Sequence, residues 1–270
     1  MSKVIVLDLD ETLRSLETSN NSNDLKVVLR PKITVLLQKL SEVKGKGVDS
    51  VIFTSASITS ANKYFLDKLP EEYRGVFKKV IGRENFLEPK LGTRENYLYR
   101  AGQNKIVTAL NYDEILFFDD NRTEYNFLQE LFDESNYTEY PVPDKSVTFV
   151  NLPFYPRMSS DMYALKELAE QYDFLKKPVN EYFMLMTNEP GCKIMAKAID
   201  DFVSKDNEKG LLDIETKEFD DYEINLRAKN IEIRKILSQD KNLINKYFDL
   251  KKEYYSKEEK ETDKYCKELL

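Results

Sequence analysis

The sequence predicts an α/β fold with a mainly parallel sheet, followed by a region that consists of helices alone. Short, unbroken apolar runs are typical of strands buried on both faces, and the sequence has such runs at residues 4–7, 51–53 and 115–118. A fourth run, at residues 147–150, is interrupted only by Thr148. Segments with helical apolar spacing lie between the earlier runs, and this alternation favours parallel pairing. After the fourth run the strand pattern stops. We therefore expect two domains, residues 1–156 and residues 157–270.

The composition is that of a soluble globular protein. The 270-residue chain is 41% hydrophobic and 33% charged. Its net charge of −7 argues against nucleic acid as the main partner, because phosphate binding needs a basic surface. No apolar run is long enough to span a membrane, and the first strand begins too early to leave room for a signal peptide. Two cysteines do not form a disulfide framework, so we expect a cytoplasmic protein.

The chain contains no histidine, which excludes several classes of enzyme. Hydrolases with Ser-His-Asp or Cys-His sites and all histidine-ligated zinc sites are ruled out. Two cysteines cannot build a cysteine-only zinc site. A cysteine-based phosphatase needs an arginine six positions after its cysteine, and Ala198 has that position after Cys192. Any catalysis must therefore depend on carboxylates, lysine and hydroxyl groups, with a bound metal as the expected cofactor.

The first apolar run ends in two acids one residue apart, Asp8 and Asp10. Neighbours at i and i+2 lie on the same side of an extended backbone, so both can face one pocket at the carboxyl end of the strand. Two acids this close repel each other, which favours one ionised and one protonated carboxyl. One can then act as nucleophile and metal ligand while the other acts as general acid. The alternative is a strand followed by an acidic turn.

Two later strands also end in polar groups. The second apolar run is followed by Thr54, whose hydroxyl and the free N–H groups after it suit phosphate, although a plain helix N-cap explains the same residues. The third run ends in Asp119 and Asp120, and acids are depleted in strands. Buried acids are costly unless they are paired or bound to a cation. Together with Asp8 and Asp10, they predict a hard-oxygen site suited to Mg²⁺.

A lysine stands where a helix is expected to begin, at Lys105 before residues 106–110. The positive end of the helix dipole disfavours lysine at this position. A surface lysine is nevertheless the simplest interpretation of a single residue, so residue chemistry alone leaves its role open.

Residues 157–270 show helical stripes and no strand pattern, repeat or low-complexity tract. Four or five helices fit this length, and their stripes are most simply core. The region carries 21 Lys and Arg against 25 Asp and Glu, a net charge of −4. That balance gives no general attraction to anionic lipid, although a local basic pocket could bind a phosphoinositide head group.

Four segments, in this order, resemble the four motifs of the haloacid dehalogenase (HAD) superfamily: Asp8-Leu-Asp10-Glu-Thr12-Leu, Phe53-Thr54-Ser-Ala-Ser57, Lys105 and Asp119-Asp120. The subgroup that the chain resembles is the capless phosphatases of the polymerase carboxy-terminal-domain type. The first motif reads DLDETL, Arg30-Pro31 opens the next helix, and the segment between the second and third motifs is short and strand-rich. The resemblance covers residues 1–155 and implies a Rossmann-like HAD core.

The resemblance implies a role for each catalytic residue. Asp8 would attack phosphorus and become an aspartyl-phosphate. Asp10 would protonate the leaving oxygen and then help to deprotonate the hydrolytic water. Thr54 and the backbone after it would hold phosphoryl oxygens, and Lys105 would balance the charge of phosphate and Asp8. Lys105 stands closer to Asp119 than the subgroup pattern places it, which leaves Lys90 as the alternative.

The resemblance also implies the metal ligands. Mg²⁺ would be held by the side chains of Asp8 and Asp119 and by the backbone carbonyl of Asp10, with Asp120 as a ligand or as a neighbour of the ligands. One position departs from the subgroup, since Asn121 stands where an arginine is often found.

The expected function is a Mg²⁺-dependent phosphatase with a phosphorylated protein as substrate, because an open cleft without a cap admits a side chain. Phosphoserine or phosphothreonine and phosphotyrosine both remain open; an aromatic wall formed by Phe86, Tyr97 and Tyr99 would favour phosphotyrosine. A nucleic-acid 3′-phosphatase is one alternative. In another, the helical domain is a targeting module that binds a protein or a membrane surface, with the HAD domain secondary. It could also form a cap over the active site.

Overall fold

The computed structural model describes residues 1–18, 25–85, 105, 107–133, 145–152, 160–205, 208–214 and 217–254. The chain divides into two compact units, and each unit combines three separate segments. The first unit consists of Met1–Arg14, Lys32–Tyr155 and Gly191–Thr216, and the second of Ser15–Pro31, Pro156–Pro190 and Lys217–Leu270. The predicted domain limits of 1–156 and 157–270 therefore differ from these units.

Eight strands are present in the described part of the chain. In chain order they are β1 (Lys3–Leu7), β2 (Arg14–Thr18), β3 (Leu25–Leu29), β4 (Asp49–Phe53), β5 (Lys79–Ile81), β6 (Glu114–Asp119), β7 (Ser146–Asn151) and β8 (Gly210–Ile214). Six of them form one sheet in the order β5-β4-β1-β6-β7-β8, and all neighbours are parallel. β2 and β3 form a separate two-stranded sheet. The predicted α/β class with a parallel sheet is confirmed.

The centre of the large sheet is β1, which pairs with β4 on one side and with β6 on the other. Its residues 4–7 are fully buried, as the unbroken apolar run predicts. Leu7 is level with Ile52 of β4 and with Phe118 of β6, so these three strands end at the same edge of the sheet. Ligands of open parallel sheets bind at this edge, and the polar residues that follow the three strands meet there.

The helices are α1 (Ile33–Lys44), α2 (Ile58–Tyr64), α3 (Arg122–Asp133), α4 (Ser160–Gln171), α5 (Asp173–Thr187), α6 (Gly191–Ser204), α7 (Lys217–Ser238) and α8 (241–254). Helices α1, α2, α3 and α6 belong to the first unit, where α1 packs against α6. The prediction that Arg30-Pro31 opens α1 is wrong. The helix begins at Ile33, two residues after Pro31. Lys32 has a left-handed φ of 61°, so the right-handed helix cannot extend back through this residue to Pro31.

The prediction that residues 157–270 contain no strand is also wrong. Residues Gly210–Ile214 form β8, the sixth strand of the sheet, which pairs with β7. This strand is only five residues long and lies at the edge of the sheet, so its apolar pattern is weak. Its place depends on tertiary contacts that sequence spacing does not show. One such contact is the ion pair between Arg122 of α3 and Asp213.

The second unit contains the expected helical region, with α4, α5, α7 and α8 as its helices. Its apolar core combines residues from all four, among them Leu165, Val179, Ile233 and Leu243. Helix α5 begins at Asp173, and Pro178 lies inside it. Within the described ranges, no helix has the length and apolar character needed to cross a membrane.

Candidate active site

Three carboxylates meet at the carboxyl edge of the sheet. Asp8 follows β1, Asp119 ends β6, and Asp120 is the next residue. One oxygen from each of the three lies within 4.8 Å of the others. The backbone N–H of Asp8 donates to the carbonyl of Phe118 at 2.9 Å, which extends the pairing of β1 with β6 into the site. The structure thus brings together three of the four acids that the sequence singles out.

Lys105 lies between two of these acids. Its Nζ is 2.6 Å from Asp8 Oδ1 and 2.6 Å from Asp119 Oδ2. The residue is only 5% exposed, which contradicts its interpretation as a surface lysine. It is followed by a short 3₁₀ turn at Val107–Ala109 in place of the helix predicted at residues 106–110. Burial alone would lower the pKa of Lys105, but the charges of Asp8 and Asp119 outweigh it and raise that pKa, so the ammonium stays charged.

The site carries more negative than positive charge. Burial raises the pKa of Asp8 to about 7, with Lys105 opposing this shift and Asp119 adding to it. Burial, followed by the charge of Asp8, raises the pKa of Asp120 to about 6. One ammonium cannot offset three carboxylates, of which those of Asp8 and Asp119 are buried. Oxygen donors at this spacing with unbalanced negative charge fit a hard divalent cation such as Mg²⁺.

Thr54 follows β4 and is fully buried. Its backbone N–H donates to the carbonyl of Ile81 at 2.9 Å, and its Oγ1 accepts from the N–H of Ala56 at 3.0 Å. The hydroxyl is therefore fixed in a turn beside the end of β1. The N-cap of α2 is a different residue, Ser57, whose side chain accepts from the N–H of Ser60. The plain-cap interpretation thus applies to Ser57 and leaves Thr54 for another role.

Asp10 lies outside the three-carboxylate cluster. Only Leu9 separates it from Asp8, and a turn at residues 11–13 begins immediately after it, where Glu11 has a left-handed φ of 63°. The side chain of Asp10 is 33% exposed, and its Oδ1 accepts a hydrogen bond from Arg14 Nε at 2.9 Å. The same turn reaches the cluster through Thr12, whose hydroxyl donates to Asp120 Oδ1 at 3.1 Å.

Two charged residues in the site were missed by the sequence argument. Glu124, in the first turn of α3, is buried and accepts the backbone N–H of Lys105 at 2.9 Å. Arg14 is fully buried and contacts Asp10. An acid in the first turn of a helix is ordinarily explained by the helix dipole, so the sequence does not mark Glu124 as a site residue. Arg14 could have been noticed in the sequence, because this charged residue directly follows the apolar Leu13 of the first motif.

Some predicted site residues lie outside the described part of the chain. These are Lys90, the alternative to Lys105, and the candidate wall residues Phe86, Tyr97 and Tyr99. The contacts of Lys105 with Asp8 and Asp119 place this lysine at the carboxylate cluster.

Comparison with known families agrees with this arrangement. A family described as NLI interacting factor-like phosphatase matches residues 3–138, a segment that includes all four motifs. No curated protein matches the chain. Because the matched segment spans half of the 270 residues, the chain belongs to the NLI interacting factor-like phosphatase family, the HAD-type group that its motifs resemble.

Proposed function

We propose that this chain is a Mg²⁺-dependent phosphatase that acts on phosphorylated proteins through an aspartyl-phosphate. The observation that carries the proposal is the cluster of Asp8, Asp119 and Asp120, with the buried Lys105 bridging the first two. Such a cluster suits phosphoryl transfer, because catalysis of this reaction depends mainly on positioning and on charge stabilisation. Membership of a phosphatase family supports the same reaction.

In the first half of the proposed reaction, a carboxylate oxygen of Asp8 bonds to phosphorus while the bond from phosphorus to the leaving oxygen breaks. Asp10 gives its proton to that leaving oxygen. In the second half, Asp10 takes a proton from water, the water oxygen bonds to phosphorus, and the bond to Asp8 breaks. The products are an alcohol or phenol and inorganic phosphate, and both acids return to their starting states.

The other site residues provide charge and orientation. Lys105 fixes one oxygen of Asp8 and offsets the negative charge that collects around the phosphoryl group. The hydroxyl of Thr54 would orient a phosphoryl oxygen. The carboxylates of Asp8, Asp119 and Asp120, with the carbonyl of Asp10, would hold Mg²⁺. When bound, that ion supplies the positive charge that the described residues lack.

The choice of a protein substrate depends on the absence of a cap inserted in the first motif region. The segment between β1 and α1 is too short for a cap domain, and its described residues include the short strands β2 and β3. An open cleft admits a phosphorylated side chain on a folded protein or a peptide. Phosphotyrosine and phosphoserine or phosphothreonine both fit this argument.

The test is the hydrolysis of p-nitrophenyl phosphate by the wild type and by Asp8→Asn, each with and without Mg²⁺. We expect metal-dependent activity in the wild type and a loss of at least ~10³-fold in Asp8→Asn, because the nucleophile is removed. Asp173→Asn is the matched control, since it makes the same change on an exposed side chain of α5. An inactive wild type with an intact fold would argue for a binding scaffold in place of an enzyme.

A second assay tests the substrate class. We expect turnover of phosphopeptides to exceed that of nucleotides and sugar phosphates. If small metabolites are hydrolysed and phosphopeptides are ignored, the protein-phosphatase proposal fails while the phosphatase proposal stands. Selective activity on a 3′-phosphorylated oligonucleotide would instead favour the nucleic-acid alternative.

A further inference from the structure

The guanidinium of Arg14 is fully buried, and it lies beside the partly exposed side chain of Asp10. Its Nε donates to Asp10 Oδ1 at 2.9 Å, and its Nη1 donates to the backbone carbonyl of Ser60 at 3.1 Å. Nη2 lies 3.4 Å from the hydroxyl of Ser60. The guanidinium therefore joins Asp10, in the first motif, to the first turn of α2, which follows the second motif.

The backbone of Arg14 is also held by hydrogen bonds, in addition to those of its side chain. The left-handed Glu11 turns the chain back on itself, and its N–H donates to the carbonyl of Arg14 at 2.8 Å. The N–H of Arg14 in turn donates to the carbonyl of Leu9 at 3.1 Å. A β-bridge pairs Asp10 with Arg14. The distance from Asp10 to the guanidinium is thus set by a closed turn of a few residues.

Burial makes this contact different from a surface ion pair. Removing a guanidinium from water is costly unless its hydrogen bonds are made, and here both ends of the fork reach fixed acceptors. The partner carboxylate is only partly covered, with a side chain that is 33% exposed. One oxygen of Asp10 is held from the buried side, and in the described part of the chain the other accepts no hydrogen bond.

We propose that Arg14 is a positioning residue for Asp10, and this inference rests on the proposed phosphatase function. The guanidinium holds Oδ1, so that Oδ2 faces the leaving oxygen of the substrate. When Asp10 gives its proton to that oxygen, the adjacent cation stabilises the carboxylate that forms. When Asp10 later accepts a proton from water, the same contact keeps the carboxylate aligned. Ser60 anchors the guanidinium from α2.

A purely structural role for Arg14 makes a different prediction. If Arg14 only connected the first motif to α2, its loss would disturb the whole site and would lower kcat/KM for all substrates alike. A residue that acts through the general acid affects only the step in which a proton is delivered. An alkyl phosphate needs that proton, since an alkoxide is a poor leaving group, whereas p-nitrophenolate leaves with little help.

The test compares kcat/KM for an alkyl phosphate and for p-nitrophenyl phosphate in the wild type and in Arg14→Met. We expect Arg14→Met to lose roughly 10²-fold on the alkyl phosphate and less than about 10-fold on p-nitrophenyl phosphate. Arg14→Lys retains the charge and should recover part of the loss on the alkyl substrate. Arg74→Met is the matched control, because Arg74 also binds backbone carbonyls in the first unit, but its acceptors are Leu69 and Asp67.

A double-variant comparison adds a second readout. In the Asp10→Asn background, Arg14→Met should cause no further loss on either substrate, because the residue through which Arg14 acts is already inactive. Should Arg14→Met fail to fold, Ser60→Ala removes the outer hydroxyl contact while the guanidinium remains. It should show a smaller loss with the same bias toward the alkyl phosphate.

The outcomes separate this inference from the function on which it rests. Equal losses on both substrates, or a further full loss in the Asp10→Asn background, would overturn the positioning role while leaving the phosphatase proposal intact. A wild type that is as inactive as Asp8→Asn on every phosphate would overturn the proposed function, and the role of Arg14 with it.

Discussion

At the scale of single residues, the contacts of Lys105 connect the acids of the site. Lys105 is held from both ends: its ammonium binds Asp8 and Asp119, and its backbone N–H binds Glu124. A buried cation between carboxylates keeps their repulsion from opening the site. In the proposed phosphatase reaction, it would also place positive charge beside the phosphoryl group. Glu124 therefore holds the backbone of this lysine.

We predict that Lys105→Met lowers kcat by at least ~10²-fold with little loss of secondary structure, because the methionine fills the space but carries no charge. The measurement is p-nitrophenyl phosphate turnover with saturating Mg²⁺, together with circular dichroism. Lys39→Met is the matched control, since Lys39 also pairs with two acids, Glu42 at 2.7 Å and Asp200 at 3.1 Å, on the surface of the first unit. Near-normal activity in Lys105→Met would show that another cation has this role.

The residues recovered from the sequence share one property. Asp8, Asp119 and Asp120 stand at the ends of apolar runs, where an acid is conspicuous because it breaks the pattern of a buried strand. Arg14 and Glu124 stand in a turn and in a first helical turn, where charged residues are ordinary. Their importance comes from contacts across the fold, with separations that no local pattern encodes.

At the scale of elements, a buried ion pair fixes the end of β3 to the end of α5 within the second unit. Arg30 Nε is 2.9 Å from Glu189 Oε2, and its Nη2 is 2.8 Å from Oε1, so the contact is bidentate. Both side chains are fully buried. The arginine of the Arg30-Pro31 pair, which the sequence argument assigned to the start of a helix, therefore has a partner more than 150 residues away.

We predict that Arg30→Met destabilises the protein by about 3–5 kcal/mol, because it leaves the buried carboxylate of Glu189 without its guanidinium. The measurement is the free energy of unfolding from urea titration. The double variant Arg30→Met with Glu189→Met should be more stable than Arg30→Met alone, since both charges are then removed. Arg227→Met, which breaks an exposed pair with Glu223 on α7, serves as the control and should cost less than ~1 kcal/mol. A similar small cost for Arg30→Met would show that the buried pair contributes little.

Long apolar elements could be predicted from the sequence and short ones could not. The central strands and the helical stripes of the second unit follow from local periodicity. Strand β8 is short, half exposed and paired only at one edge, and α6 joins the first unit although its neighbours in sequence join the second. Membership of an element in one unit or the other is decided by packing, which periodicity does not report.

At the scale of the whole molecule, neither compact unit is continuous in sequence. The first unit needs β8 and α6, which lie beyond the segment matched by the phosphatase family and beyond the predicted boundary at residue 156. Strand β8 covers the edge of β7, and α6 packs on α1 with a buried face that includes Met195, Ile199 and Phe202. The family segment thus contains the catalytic motifs but not the whole core that supports them.

We predict that a fragment of residues 1–156 is insoluble or unfolded, although it contains every proposed catalytic residue. Its loss of α6 would expose several side chains that each contribute about 1.5–3 kcal/mol when buried, and their sum approaches the stability of a whole domain. The open edge of β7 would also promote aggregation. A fragment of residues 1–216 retains β8 and α6 and should be more soluble, as measured by size-exclusion chromatography and circular dichroism. Cooperative unfolding and full activity of the 1–156 fragment would instead mean that the six-stranded unit is not the folding unit, and that the boundary at residue 156 marks a true domain.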